Sequence, residues 1–223
     1  MYFLKDYMGA DEQSPGIHEV IRALRLAFVT VSISPFLAGS VLKLTDFNFF
    51  TFILGCIAAV STHLGANLIN DYADSKTGVD WQDKRFYKFF GGSKLIQEGT
   101  FSEKFYLRLS ISFFCLATLS VVSLAVILKS ISILWFFAII LFLGFSYSYK
   151  PFYFSYNYLG EAVLFVLFWP ALVMGGYFIQ TGIFPNLESL LLSLPFGFYT
   201  TAILFTDEVP DFIQVRQSKK ETG

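Results

Sequence analysis

Six long apolar runs dominate the chain, over residues 26–44, 48–69, 107–128, 131–147, 159–179 and 188–206. Each is close to the ~20 residues that an α-helix needs to cross a bilayer. The polar stripes that a soluble helical bundle needs on its outer faces are nearly absent. The pattern predicts an all-α, polytopic bundle of six transmembrane helices. Pro35, Pro170 and Pro195 fall inside three of the runs, where neighbouring helices satisfy the backbone groups that a proline frees. Ahead of the first run, Ile17, Val20, Ile21 and Leu24 follow an i, i+3, i+4, i+7 pattern. That spacing predicts a short amphipathic helix at the membrane interface, after a polar tail over residues 1–14. The chain divides into this tail and interfacial helix, 1–25, and a membrane domain, 26–223.

Composition supports the membrane reading. Of 223 residues, 55% are hydrophobic and 15% are charged, against roughly 25% charged in ordinary soluble domains. Cys56 and Cys115 both lie in apolar runs, which suggests neither a disulfide framework nor a metal spacing. No cleavable signal peptide is expected in the first 25 residues. The net charge of −1 says little by itself, and no nucleic-acid partner is expected. The distribution of charge says more. With six spans, fourteen of the sixteen Lys and Arg residues fall on one side, leaving Lys43 and Lys129 on the other. Positive charge collects on the cytoplasmic side, so both termini and the loops after the second and fourth spans are expected there, in the cell (inner) membrane.

The candidate chemistry lies on that same side. The second run passes into Asn67-Leu68-Ile69-Asn70-Asp71-Tyr72-Ala73-Asp74, followed by Gly78 and Asp80. Asn67, Asn70, Asp71 and Asp74 recur at steps of three and four, which places them on one helix face. Oxygen ligands in that arrangement suit Mg²⁺, which takes few carboxylates and shares its shell with phosphate and water. Asx residues also end ordinary helices. A second acidic cluster, Asp207-Glu208-Val209-Pro210-Asp211, ends the sixth run on the same predicted side. Three carboxylates there repel one another unless cations lie between them. Between the motifs lie Asp83-Lys84-Arg85 and Gly91-Gly92-Ser93-Lys94, residue types that meet phosphate through cations and backbone N–H groups. Tyr147-Ser148-Tyr149-Lys150 follows the fourth run. A tyrosine face there suits a cation, and an interfacial aromatic belt suits it as well.

On these residues, together with Gln97-Glu98-Gly99 and Tyr158-Leu159-Gly160-Glu161, the chain resembles the UbiA superfamily of intramembrane aromatic prenyltransferases. Within it, the chain looks most like the branch that prenylates 1,4-dihydroxy-2-naphthoate in menaquinone synthesis. The resemblance implies a helical bundle around a cavity open to lipid. It implies transfer of a polyprenyl group from a polyprenyl diphosphate to an aromatic acceptor, with Mg²⁺ held between two acidic motifs. Carried over by position, Asn70 and Asp74 would be ligands of the first motif, with Asp71 supporting them. Asp211, with Asp207 beside it, would serve the second. Arg85 and Lys94 would meet the diphosphate, Asn67 and Lys150 would be further substrate contacts, and Tyr147 would face the allylic cation.

The sequence also departs from that pattern. Asp207 stands where the family usually has Asn, and Val215 where it usually has Asp. The family usually has nine membrane helices, so the resemblance sets an expectation of three beyond the six read here. A second reading is therefore a shortened or degenerate relative without catalysis. A third, a transporter of an anion or lipid, calls for charges within the spans, whereas the acids here gather at one membrane face.

Overall fold

The computed structural model describes residues 16–43, 45, 47–77, 86, 92–149, 151–152, 154 and 159–203. Among them every regular element is helical. α1 (Ile17–Leu24) is followed by a short 3₁₀ turn (Leu26–Phe28), α2 (Val29–Val41), α3 (Phe49–Thr77), α4 (Glu103–Ile127) and α5 (Ser132–Ser148). Next come α6 (Gly160–Val166), a π-helical stretch (Leu167–Ala171) and α7 (Leu172–Thr181), and then α8 (Leu187–Ile203).

All six apolar runs thus become helical, but they are not equivalent. Three helices are long and apolar enough to cross a membrane: α3, α4 and the continuous rod Gly160–Thr181. A fourth span requires α1 and the following helix to be counted together across a 47° bend. The fifth helix, at 10–17 residues, falls into a shorter class, and at 1.5 Å per residue it falls short of a hydrocarbon core about 30 Å thick; the eighth is described only as far as Ile203. The described residues therefore give three or four full spans where the apolar pattern predicts six.

The bend after α1 has a local cause. Arg25 takes a left-handed conformation (φ 50°) and its N–H returns to the Arg22 carbonyl, which ends the helix in one residue. The predicted apolar face of α1 divides. Val20 and Leu24 pack on a buried cluster of Ala23, Leu68, Leu95, Ile96, Phe101 and Tyr106, while Ile17 and Ile21 stay exposed. Pro35 lies within α2. Pro170 lies in the π-helical stretch, where the wider turn absorbs the missing N–H.

Packing relies on small residues, as is usual where lipid removes the hydrophobic drive between helices. α2 and α7 meet at backbone contact. A Cβ on Gly39 would lie 1.9 Å from the Val173 carbonyl oxygen, and one on Gly176 would lie 2.3 Å from that of Phe36. α3 packs most extensively on α4, and the buried Ser110 hydroxyl donates to the Gly65 carbonyl across that contact at 2.8 Å. Such a bond contributes about 0.6 kcal/mol on average in a membrane bundle.

The two ends of α3 are tied down. At its start, the Asn48 side chain accepts from the Phe50 and Thr51 amides, while the Gln180 side chain bonds both backbone groups of Asn48. At its finish, Ser75 donates to Glu103 at 3.0 Å and Lys76 pairs with the same carboxylate. Ser102 caps α4 beside them. Large apolar side chains such as Val126 and Trp135 point outward, 72% and 70% exposed, as they do on a surface that meets lipid.

Candidate functional site

The core of this bundle is the wall of a cavity. The central buried cluster draws Phe36, Ala58, Val121, Phe137 and Phe178 from five helices, and each of these residues also borders a space of about 540 Å³. Further phenylalanines, including Phe114, Phe136 and Phe168, complete a largely apolar lining. Helix α3 supplies one continuous stripe of it: Gly55, Ala58, Ala59, Thr62, His63, Ala66, Asn67, Asn70 and Asp74. These steps of three and four follow one helical face, over about 28 Å at 1.5 Å per residue. The stripe is apolar up to Ala59 and becomes polar from Thr62. Its last members, Asn67, Asn70 and Asp74, meet the cavity together with Arg25 and Gly92. The space is therefore a greasy chamber with amide, carboxylate and guanidinium groups at one end.

Asp71 does not share that face. It does not border the cavity and is 3% exposed. Its Oδ2 accepts the Ser93 backbone N–H at 3.0 Å, and the Ser93 hydroxyl lies 2.6 Å from the buried Tyr106 hydroxyl. At 100° per residue Asp71 is turned well away from Asn70. It reaches the segment after Gly91 instead of the cavity.

That segment is strongly held. Lys94 adopts φ 61°, a left-handed conformation that costs a non-glycine residue about 1–2 kcal/mol. It opens a turn closed by Glu98 N–H to the Lys94 carbonyl and Thr100 N–H to the Leu95 carbonyl. Leu95, Ile96 and Phe101 are buried beneath the turn. Arg22 grips Glu98 with two bonds of 2.9 and 2.6 Å, and its guanidinium stacks on Phe86 at 3.7 Å. Lys94 itself is 7% exposed and does not line the cavity. Among the described residues of this loop, Gly92 lines it.

Among the other residues singled out in the sequence, Asn67 lines the cavity and its amide lies 3.5 Å from the Leu24 carbonyl at the end of α1. Tyr147 lines it as well. Arg85, Lys150, Asp207 and Asp211 lie outside the described residues, as do Val215 and Asp80.

Two features escape the pattern reading. Arg25 counts as one more cytoplasmic cation in the sequence, yet it borders the cavity and packs on Phe28 at 4.9 Å. Ser32 and His63 sit inside apolar runs, and their side chains meet at 2.6 Å. His63 precedes Asn67 by four residues and Asn70 by seven, a helical repeat that extends the polar stripe inward.

Asn70 and Asp74 stand one turn apart, carry hard oxygen donors and border the same space. This donor set fits Mg²⁺, which needs only one or two protein carboxylates when phosphate and water complete its shell. Among the described residues no three His, Cys, Asp or Glu side chains gather into a metal cluster.

The sequence profile of the UbiA prenyltransferase family matches residues 32–222. A phytyltransferase of Synechocystis sp., named for 2-carboxy-1,4-naphthoquinone, is 26% identical over 83% of this chain and 58% of its own length. A UbiA prenyltransferase domain-containing protein of Dictyostelium discoideum is 26% identical over 90% of this chain and 62% of its own. A 1,4-dihydroxy-2-naphthoate octaprenyltransferase of Bacillus subtilis is 24% identical over 87% and 61%, respectively. The chain thus spans about 60% of the length of these relatives. No solved structure matches significantly. A family profile that covers most of the chain, over a helical bundle with a polar-ended apolar chamber, leads to one conclusion: the chain belongs to the UbiA prenyltransferase family.

Proposed function

We propose that the protein transfers a polyprenyl group from a polyprenyl diphosphate to an aromatic acceptor, 1,4-dihydroxy-2-naphthoate, in menaquinone synthesis. The observation that carries this reading is the division of the cavity between Arg25, Asn67, Asn70 and Asp74 at one end and an aromatic, apolar interior beyond them. A polyprenyl diphosphate has the same division. The names of the Synechocystis and Bacillus relatives support the acceptor.

Asn70 and Asp74 would hold Mg²⁺, which supplies charge neutralisation for a departing diphosphate. Arg25 adds a fixed cation that pairs with phosphate oxygens. The apolar walls take the isoprenoid chain and keep water from the allylic centre. Tyr147 borders the same space, and the face of its electron-rich ring would meet positive charge there. Asp71, Ser93 and Tyr106 fix the loop that brings Gly92 to the cavity. By the positive-inside bias, the diphosphate end faces the cytoplasm.

The test uses membranes carrying the protein, supplied with Mg²⁺, a labelled polyprenyl diphosphate and a panel of aromatic acceptors. A Mg²⁺-dependent prenylated naphthoquinone from dihydroxynaphthoate supports the proposal. Product from 4-hydroxybenzoate alone would replace the acceptor and leave the reaction.

A further inference from the structure

The polar stripe of α3 reaches deeper than diphosphate chemistry needs. His63 lies seven residues before Asn70, about 10 Å along the helix axis toward the apolar interior. Its Nδ1 is 2.6 Å from the Ser32 hydroxyl oxygen, and Ser32 is 2% exposed. This is the only side-chain hydrogen bond of Ser32 among the described residues, and the tautomer that gives its hydroxyl hydrogen an acceptor has Nδ1 accepting. The imidazole proton then sits on Nε2. That nitrogen is buried and has no hydrogen-bond partner among the described residues. Both Ser32 and His63 border the cavity, as does Phe168, whose ring packs on the imidazole at 5.7 Å with the planes at 77°.

A buried N–H donor left unpaired on the wall of an apolar chamber selects a ligand with an oxygen at that depth. An isoprenoid chain has no such atom, whereas a hydroxylated aromatic acid does. Resting on the prenyltransferase reading, we infer that His63 donates a hydrogen bond from Nε2 to a ring oxygen of the aromatic acceptor, with Ser32 fixing the tautomer. His63 is thereby a specificity-determining residue: it recognises the hydroxylated ring, while Asn70 and Asp74 serve the diphosphate.

The test is equilibrium binding to the purified chain in detergent micelles. It compares 1,4-dihydroxy-2-naphthoate, kept reduced, with 2-naphthoate, which lacks the ring hydroxyls. The wild-type protein should prefer the dihydroxy compound by about tenfold or more, the usual effect of leaving a buried donor unpaired. His63→Phe should lose that preference, and His63→Gln, which keeps an N–H donor at a similar reach, should restore most of it. Retained binding of a polyprenyl diphosphate reports an intact bundle in each variant. Equal preference in the wild-type and His63→Phe proteins overturns the inference, as does absence of naphthoate binding by the wild type. Failure of prenyl transfer with the binding preference intact would instead count against the enzymatic reading alone.

Discussion

The Ser93 amide donates to the Asp71 carboxylate at 3.0 Å, and this bond turns one member of the Asn-Asp motif away from the cavity. Asp71 acts here as an anchor for the loop that carries Gly92. Asp71→Ala should lower the thermal midpoint of the purified protein, since a buried bond to a charged group is worth about 1–3 kcal/mol. Asp71→Asn still offers a carbonyl oxygen to Ser93 and should recover part of the loss. The Mg²⁺ concentration for half-maximal activity should stay near wild type in both. A large shift in it would make Asp71 a metal ligand instead.

The contact between α2 and α7 allows a paired comparison of neighbouring glycines. Gly176→Ala would drive a methyl group into the Phe36 carbonyl, whereas a Cβ on Gly175 meets nothing closer than a Phe136 ring carbon at 3.5 Å. The first change should cost about 1–3 kcal/mol. The second should be neutral or mildly stabilising, because Ala is the better helix former. Thermal unfolding in detergent reads both.

Arg25→Gln should raise KM for the polyprenyl diphosphate by about tenfold or more, the range for losing a hydrogen bond to a charged group. KM for the acceptor should move little. Equal rises in both constants would show that the change disturbs the bend after α1 and has no particular effect on the diphosphate.

Much of this architecture is legible in the sequence. The apolar runs locate the helices, and the spacing of Asn67, Asn70 and Asp74 places three polar side chains at one cavity. The same pattern overreaches at Asp71, because steps of three and four define an arc and not a line. Only the loop packed beside α3 decides which side of the arc faces the chamber. Lys94 shows a related limit: Gly-Gly-Ser-Lys reads as a phosphate loop, while the structure sets Lys94 beside the buried Leu95 and Ile96 and off the cavity wall. Length sets a further limit. Hydropathy over 131–147 marks an apolar segment, but it does not reveal that the helix there is shorter than a bilayer. Ser32 and His63 are two polar residues separated by 31 positions, and nothing local connects them.

The apolar end of the α3 stripe should set which donor chains fit. Ala59 borders the cavity one turn beyond His63. Ala59→Phe should shift preference toward shorter polyprenyl diphosphates, measured as the ratio of kcat/KM for a short and a long donor. An unchanged ratio would place the chain elsewhere.

The most direct test of the central claim is Asp74→Asn. The substitution keeps size and one acceptor oxygen but removes the carboxylate that would hold Mg²⁺ beside Asn70. Turnover of a labelled polyprenyl diphosphate with dihydroxynaphthoate should fall by about 100-fold or more, while the protein remains folded and in the membrane. Wild-type turnover by the folded variant would contradict the assignment of this cavity end as the diphosphate site.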